Sequence, residues 1–400
     1  MSWKKFRLGD TATFINGYAF KPTEWASSGY PIIRIQNLTG TSREFNYFEG
    51  EIPQKYFVNK GDVLVSWSAS LGVYEWEGDT AVLNQHIFKV AIDKIEIDKP
   101  FLKFLLLGKI EEMKSAVHGA TMKHITKGKF DDIKVKLPDL PTQQHIAAVL
   151  DKADTLRQQN QQLLAHYDGL LQSTFIALFG DPVKNEMGWE VKKLGDVCTR
   201  IVDCPHSTPN HDSIPTDYPS IRTTELKNGS INWSSMKYVQ HNEYLIRTKR
   251  LVPVGGDIVY GREGTFGEAV VIPDDTKMCL GQRVMLFRPN YDFCNSIFLL
   301  AMVRNDFVYN QAVKKTSGST VGHVNVKDIK LFDIILPPLS LQNHFAEIVE
   351  KIEAQKEQTR TALAESEALF EGLLAGYFGE NQIHTKGSNP GPPTSQLKLF

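Results

Sequence analysis

The sequence predicts an α+β protein made of two similar modules, each a β-rich domain followed by a long helix. A run of residues recurs without a gap at an offset of 199, from Leu137 and Leu336 to Phe179 and Phe378. The segments before the two runs also match, although their offset drifts. Each run has a helical apolar pattern, whereas the segments before it contain short strand-like stretches.

The composition is that of a globular protein with 42% hydrophobic and 23% charged residues, and 400 residues suit two domains. No apolar run is long enough to cross a bilayer, and the charged N-terminus lacks the apolar segment of a secretion signal. Four cysteines indicate a reducing compartment rather than a disulfide framework. We therefore expect a cytoplasmic protein without membrane association.

The net charge of −1 limits how this chain can bind nucleic acid. Proteins that bind DNA over a broad surface are often basic, because phosphate contacts supply much of the affinity. Any nucleic-acid binding must therefore come from local patches, or from a partner that shares the duplex.

The globular segments diverge in length while the runs after them do not. The offset is 186 at Trp3 and Trp189, and reaches 199 by Gly119 and Gly318. Loops tolerate insertions, whereas an element whose register matters does not. The predicted boundaries are residues 1–140 and 187–339 for the two domains, 141–181 and 340–380 for the helices, and 381–400 for a flexible tail.

Within each domain, short stretches rich in Val, Ile and aromatic residues predict strands. The predicted strands are Tyr30–Ile35, Val63–Trp67, Ala81–Ala91, Asp257–Tyr260, Glu268–Ile272 and Arg283–Phe287. Each domain also contains one helix candidate, Phe101–Val117 in the first and Asn295–Gln311 in the second.

Thr142 and Ser340 are the predicted N-caps of the long helices, and each helix carries an apolar stripe at heptad spacing. Two such stripes in one chain most simply pack on each other. The predicted interface consists of Ile146, Val149, Leu156, Asn160, Leu163, Leu170, Phe345, Ile348, Ile352, Leu363 and Phe370. Asn160 falls on this seam, where a polar residue either fixes the register or marks a partly hydrated end.

No candidate catalytic constellation appears in both halves. The glycine-rich segment Gly261–Gly267 lacks the ending of a phosphate-binding loop. All four cysteines lie in the second half, so a zinc site common to both modules is not expected. His145 and His344 recur in the first helical turns, where capping or packing explains them better than catalysis. We expect neither a metal nor a cofactor in this chain.

Polar and basic residues recur at matching places in both domains. Their side chains offer hydrogen bonds to base edges and phosphates. Each one alone is better explained by a solvated loop, but the paired set favours DNA contact. The candidate DNA-binding residues are Arg34, Asn37, Trp67, Gln85, His86, His118, Thr121, Lys123, His124, Arg222, Lys227, Arg262, Gln282, Arg283, Lys314, Lys315, Ser319, Thr320 and His323.

With these motifs, nearly the whole chain resembles the specificity subunit of a Type I restriction–modification enzyme. The family's repeat reads Pro-Pro-Leu-x-Glu-Gln-x-x-Ile. The second copy here runs from Pro337-Pro338-Leu339 to Gln342, and the first has Gln143 at the matching place. Both copies keep the glutamine and lack the glutamate, which leaves one local hydrogen bond in doubt.

The resemblance implies that each domain is a target recognition domain that reads one half of a split site in double-stranded DNA. It implies that the two helices form an antiparallel coiled coil with pseudo-two-fold symmetry and set the spacer. It further implies two modification subunits, which bind S-adenosylmethionine and methylate adenine, and translocating restriction subunits. The specificity subunit itself is then non-catalytic.

Two other classes of function remain open from the residues alone. The chain could be a self-contained DNA-modifying enzyme with a duplicated core, or a scaffold that pairs two proteins without DNA. The absence of paired catalytic residues weighs against the enzyme, and the paired basic loops weigh against the scaffold.

Overall fold

The computed structural model describes residues 3–115, 125–264, 267–315 and 323–379. The segment predicted to be a flexible tail lies outside these residues. The chain divides into two compact units, one joining Met1–Gln161 with the segment from Thr361 onward and the other comprising Gln162–Arg360. Each long helix is therefore shared between the units, a division that the predicted linear order of domains and helices does not contain.

The first domain contains two four-stranded sheets and a two-stranded ribbon. In spatial order, the antiparallel sheet has strands Thr13–Asn16, Ile87–Ala91, Val63–Ser66 and Gly72–Glu75, and the mixed sheet has Asn46–Phe48, Tyr30–Ile33, Ala81–Leu83 and Phe57–Val58. The ribbon pairs Lys4–Arg7 with Lys134–Leu137. The helices are Ile35–Leu38, Lys99–Gly108, Ile110–Ser115 and Lys127–Asp131, with 3-10 turns at Leu8–Asp10, Pro22–Glu24 and Gln54–Tyr56.

The second domain repeats this architecture. In spatial order, its antiparallel sheet has strands Cys198–Asp203, Val284–Pro289, Ile258–Gly261 and Ala269–Val271, and its mixed sheet has His211–Asp212, Lys237–Val239, Pro219–Ile221 and Cys279–Leu280. The two-stranded pairs are Glu190–Lys193 with Asp333–Leu336 and Leu226–Lys227 with Ser230–Ile231. The helices are His241–Arg247, Ser296–Arg304, Asp306–Lys315 and Val326–Ile329, with 3-10 turns at Thr223–Glu225 and Trp233–Ser235.

The predicted elements are present, but three of them are broken. The predicted strand Ala81–Ala91 is two strands, because the chain turns between them at His86, whose φ is +73°. Arg283 has a φ of +64° at the matching turn, so the second domain's strand starts only at Val284. Each helix candidate is likewise two helices. In the candidate of the second domain, the break lies at Asn305.

The long helices span Leu140–Phe179 and Leu339–Phe378. Both begin before the predicted N-caps, so the assignments of Thr142 and Ser340 are wrong. The Asp139 carboxylate accepts the Thr142 N–H at 3.1 Å and fills the capping role, and hydrogen bonding from the Thr142 side chain, followed by this backbone bond, lowers the pKa of Asp139. In the second helix the Pro338 carbonyl accepts the N–H of Leu341 at 2.9 Å.

In the first unit, the start of the first long helix and the end of the second complete the domain's core. Phe370 and Phe378 lie on the second long helix, and the helix Lys99–Gly108 presents Phe101 and Phe104 to them. The ring centroids of Phe101 and Phe378 are 5.4 Å apart. The same core includes Ile146 from the start of the first long helix, so the two helices run antiparallel here.

The second unit has the reciprocal arrangement. Phe175 and Phe179, at the end of the first long helix, pack against Phe298 of the domain and Phe345 at the start of the second long helix. The Phe179 ring lies 4.9 Å from Phe298 and 5.3 Å from Phe345, centroid to centroid. The antiparallel pairing implied by the resemblance is therefore present in both units.

The predicted seam of the first long helix is wrong at three positions. Leu156, Leu163 and Leu170 are 50%, 39% and 47% exposed. From Ile146 the buried side advances by four residues and then three, through Leu150 and Ala153, whereas the prediction advanced by three and then four. The alternative leucines at 150, 164 and 171 gave an equally regular pattern, so heptad spacing alone did not select the face.

Polar side chains interrupt the seam and connect the helices. In the first unit, half-buried Asn160 donates from Nδ2 to Ser366 Oγ on the other helix at 3.3 Å. In the second unit, Lys356 Nζ lies 2.8 Å from Asp168 Oδ1 across the pair, and only 8% of the lysine side chain is exposed. These directional contacts favour a role for the polar seam residues in fixing register.

A buried glutamine fixes each domain to the long helix that follows it. Gln143 Oε1 accepts the N–H of Asp98, the N-cap of Lys99–Gly108, at 3.0 Å, and its Nε2 donates to the Pro138 carbonyl at 2.9 Å. Gln342 makes the matching bonds, accepting the N–H of Asn295 at 2.9 Å and donating to the Pro337 carbonyl at 2.8 Å. The bonds link two helix starts, and each glutamine is at most 3% exposed.

We expect Gln143→Ala to lower the free energy of unfolding of the first unit by about 2 kcal/mol, because the substitution leaves a buried donor and a buried acceptor unpaired. Chemical denaturation followed by circular dichroism measures the change. Gln144→Ala is the matched control, since the neighbouring Gln144 side chain is exposed. Equal effects of the two substitutions would contradict the role assigned to Gln143.

Candidate nucleic-acid interface

Three predicted segments meet at one end of the antiparallel sheet in each domain. In the first domain the Trp67 N–H donates to the His86 carbonyl at 3.1 Å, and the Ile125 N–H donates to the Trp67 carbonyl at 3.2 Å. We call this convergence the loop junction. It comprises residues 67, 85–86 and 125 in the first domain and residues 262–263, 282–283 and 323–324 in the second.

The second loop junction has the same backbone connections. The Arg262 N–H donates to the Arg283 carbonyl at 3.1 Å, and the Val324 N–H donates to the Arg262 carbonyl at 3.2 Å. The left-handed conformations of His86 and Arg283 complete the correspondence. The two domains therefore share a backbone frame and differ in the side chains mounted on it.

Matching positions beside the two junctions hold different pairs of side chains, exposed or half-buried in the first domain and largely buried in the second. In the first domain Trp67 Nε1 donates to Asn16 Oδ1 at 3.0 Å, and the Trp67 ring lies 4.9 Å from the His86 ring, centroid to centroid. In the second domain Arg262 Nε lies 2.9 Å from Asp203 Oδ1. Asn16 and Asp203 each end the first strand of the antiparallel sheet. A neutral pair in one domain thus corresponds to an ion pair in the other.

The second junction presents a charged cluster of graded exposure. Arg262 Nη1 is 3.3 Å from both ring nitrogens of His323, and His323 Nδ1 is 3.6 Å from Glu263 Oε1. Glu263 Oε2 lies 3.5 Å from Arg283 Nε, whose side chain is 61% exposed. The cluster therefore leads from a buried ion pair to an arginine with donors free to reach outward.

In the first domain, the predicted residues near the early strand mainly stabilise the turn in which they lie. Asn37 Oδ1 accepts the Arg34 N–H at 3.0 Å, and its Nδ2 donates to the Glu44 carbonyl at 2.8 Å. Arg34 Nη1 donates to Asn46 Oδ1 at 2.8 Å, and its guanidinium lies 5.3 Å from the centre of the Trp25 ring.

The matching turn of the second domain is held by an ion pair. Arg222 donates from its backbone N–H and from Nη2 to Glu225, at 2.8 and 2.6 Å, and the Glu225 side chain is fully buried. Lys227, two residues beyond Glu225, is exposed. Contact of these side chains with DNA stays a prediction.

The remaining predicted residues fall into three groups. Gln85 and Gln282 are half-buried members of the junctions, and Gln282 Nε2 donates to Thr208 Oγ1 at 3.0 Å. Lys314 and Lys315 are exposed in the last turn of the helix Asp306–Lys315. Those that lie outside the described residues are His118, Thr121, Lys123, His124, Ser319 and Thr320.

Sequence reasoning missed Asn16, Asp203 and Arg247. The Arg247 side chain is 1% exposed, and its Nε donates to the Leu280 carbonyl at 2.7 Å while its Nη1 and Nη2 each reach the Ser207 carbonyl at 3.3 Å. It braces two loops beside the junction. A search for paired residues could not find it, because the matching stretch of the first domain, residues 49–62, contains the 3-10 turn Gln54–Tyr56 and the strand Phe57–Val58 in place of an α-helix.

Cys204, Cys279 and Cys294 are buried in the core, and Cys198 is partly buried against it. Burial raises the pKa of Cys279 to about 11 and that of Cys294 to about 12, so both thiols stay protonated at neutral pH. Among the residues that the structure describes, no group of three or more His, Cys, Asp or Glu side chains is placed to hold a metal ion. Within the same residues, no helix combines the length and the apolar character that crossing a membrane requires.

Comparison with known proteins agrees with this duplicated geometry. The family model described as the Type I restriction modification DNA specificity domain matches twice, at residues 1–165 and 186–366. The Type I restriction enzyme EcoBI specificity subunit of Escherichia coli is 23% identical over 97% of this chain and 88% of its own length. The MjaVIII specificity subunit of Methanocaldococcus jannaschii is 24% identical over 88% of this chain and 86% of its own length.

Solved structures share the fold. The Type I restriction–modification S subunit from M. genitalium superposes with a TM-score of 0.60 at 12% identity, covering 94% of this chain and 96% of that one. A chain from a structure concerned with complex assembly and conformational transition of the type I R-M system gives a TM-score of 0.53 at 17% identity, covering 94% and 97%. Two family matches along one chain, over two domains with the same backbone junction, place this protein in the family of Type I restriction–modification DNA specificity subunits.

Proposed function

We propose that the loop junction of each domain contacts one half of a bipartite DNA site and that the side chains mounted on the junction select its bases. The carrying observation is the repeated backbone frame, with Trp67 and His86 in one domain and Arg262 and Arg283 in the other. Two readers of one kind must share a docking geometry and differ in the groups that reach base edges. The two junctions have this combination.

Arg283→Gly should relax the second half-site while leaving the first intact, because Arg283 is the exposed guanidinium of its junction and arginine pairs best with guanine edges. Glycine suits the positive φ at this position. We expect the preference for the correct base to fall on the order of tenfold at one or two positions. Sequencing the methylated sites made by the complete complex measures it.

His86→Gly is the reciprocal control, because His86 occupies the matching turn of the first domain. It should alter only the first half-site. Relaxation of the half-site opposite to the substituted domain, in either variant, would contradict the assignment of junctions to half-sites.

We also propose that the paired helices set the length of the non-specific spacer between the half-sites. The gap-free offset of 199 supports this role, since the helices keep their length while the domains do not. Half-sites read from one face of the duplex lie about 34 Å apart. Each added residue of helix contributes about 1.5 Å.

Inserting four helix-forming residues into each long helix, after Gln161 and after Arg360, should lengthen the spacer by about two base pairs, since the insertion adds about 6 Å. These are the points where the two units divide the chain. Mapping methylated motifs measures the spacer. Replacing four exposed helix residues with the same tetrapeptide is the control, and an unchanged spacer in the insertion variant would refute the role.

We further propose that the chain is non-catalytic, acts in the cytoplasm, and directs two modification subunits that bind S-adenosylmethionine, together with restriction subunits. The exposed leucines of the first long helix support a docking surface for a partner helix. Leu163 and Leu170, both in the second unit, lie seven residues apart on one side of the helix. Apolar side chains exposed at this spacing are typical of a surface that a partner covers.

Leu163→Glu should weaken co-purification of the modification subunits at least about tenfold, because a charge at the centre of an apolar interface is costly to bury. The fold should survive, since Leu163 is exposed in the free chain. Gln162→Glu adds the same charge at the neighbouring exposed position and should leave assembly unchanged. Assembly that tolerates Leu163→Glu would exclude this stripe as the docking surface.

A further inference from the structure

The two junctions differ by a concerted exchange of one side-chain pair for another, the solvent-exposed Asn16–Trp67 hydrogen bond for the largely buried Asp203–Arg262 ion pair. Gly17, after Asn16, donates its N–H to the Ile87 carbonyl at 3.0 Å, and Cys204, after Asp203, donates to the Val284 carbonyl at 3.3 Å. The backbone around Asn16–Trp67 is therefore matched by the backbone around Asp203–Arg262. The exchange changes side-chain chemistry within a common frame.

Arg262 is too enclosed to contact DNA itself. Its side chain is 7% exposed, with Nε 2.9 Å from Asp203 Oδ1 and Nη1 3.3 Å from the ring nitrogens of His323. Reaching a base would separate it from its carboxylate and leave a buried charge without a partner, which is strongly unfavourable. The guanidinium instead binds neighbouring side chains inside the domain.

What Arg262 holds in place is the exposed part of the cluster. His323 contacts both Arg262 and Glu263, and Glu263 contacts Arg283. Glutamate can accept a hydrogen bond from the amino group of cytosine, and arginine can donate two to guanine. The orientation of two groups suited to base recognition thus depends on a buried guanidinium, whose position depends on Asp203.

We propose that Asp203 is a positioning residue for recognition of the second half-site. It fixes Arg262, Arg262 fixes His323, and His323 orients Glu263 beside Arg283. The Asn16–Trp67 pair supports the first junction without charge, and this exchange is one source of the difference between the two half-sites. The inference rests on the proposed function, in which the junctions contact DNA.

The test compares two ion pairs at opposite ends of the same strands. Asp203→Asn, which preserves shape, should reduce the preference for the correct base in the second half-site on the order of tenfold and leave the first half-site unchanged. Asp257→Asn is the matched control. Asp257 is fully buried and lies 2.7 Å from Arg288 Nη2, at the end of the strands away from the junction. It should lower the melting temperature of the complex without changing the methylated motif.

A double variant separates positioning from stability. Asp203→Asn with Arg262→Leu removes both charges, so the melting temperature should recover towards that of the parent complex. The motif should remain relaxed, because His323 has lost its arginine partner. Recovery of the motif together with the melting temperature would overturn the proposal, as would relaxation of the same half-site by Asp257→Asn.

Arg283→Gly distinguishes failure of this inference from failure of the proposed function. If Arg283→Gly changes the second half-site and Asp203→Asn does not, the positioning role is wrong and the junction still reads DNA. If neither variant changes the methylated motif, both the positioning role and the assignment of the junction fail.

Discussion

The hydrogen bonds of Gln143 and Gln342 are the constraint on which both modules depend. Each glutamine joins the N-cap of a domain helix to the carbonyl that precedes a long helix. Because these bonds are buried, a domain cannot pivot on its helix without leaving polar groups unpaired. The family's glutamate, absent here, is not needed for this connection between domain and helix, since the glutamine alone reaches both hydrogen-bond partners.

The helix pair shows how a chain keeps register with a seam that is only partly apolar. Lys356 is paired with Asp168 across the helices, and Asn160 reaches Ser366. Such pairs add less stability than leucines would, but they are satisfied in only one alignment. In the proposed assembly the leucines outside the seam face a partner, and one helix would then have separate faces for internal pairing and for assembly.

The internal repeat made the fold predictable from the sequence. Residues without a matching counterpart in the other module could not be predicted. The constant offset predicted two modules and two helices correctly, and the paired Gln-His and Gln-Arg segments do meet the loops at Trp67 and Arg262. Heptad spacing did not show which of two regularly spaced sets of leucines faces the other helix. Packing of the helix against the domains determines the buried set. Asp203 was missed because its counterpart Asn16 differs in charge, and Arg247 because it has no counterpart in the shorter segment of the first domain.

The division of the helices between the units determines the order in which the chain can fold during synthesis. Phe370 and Phe378 belong to the core of the first unit, yet 199 residues lie between Gln161 and Thr361. At about 5–20 residues per second, the ribosome needs on the order of 10–40 s to supply them. The second unit needs only Gln162–Arg360, so it is the first to be complete. Until then the N-terminal domain lacks the phenylalanines that complete its aromatic core. During this period its apolar surface is exposed on the nascent chain, and chaperone binding would protect it most.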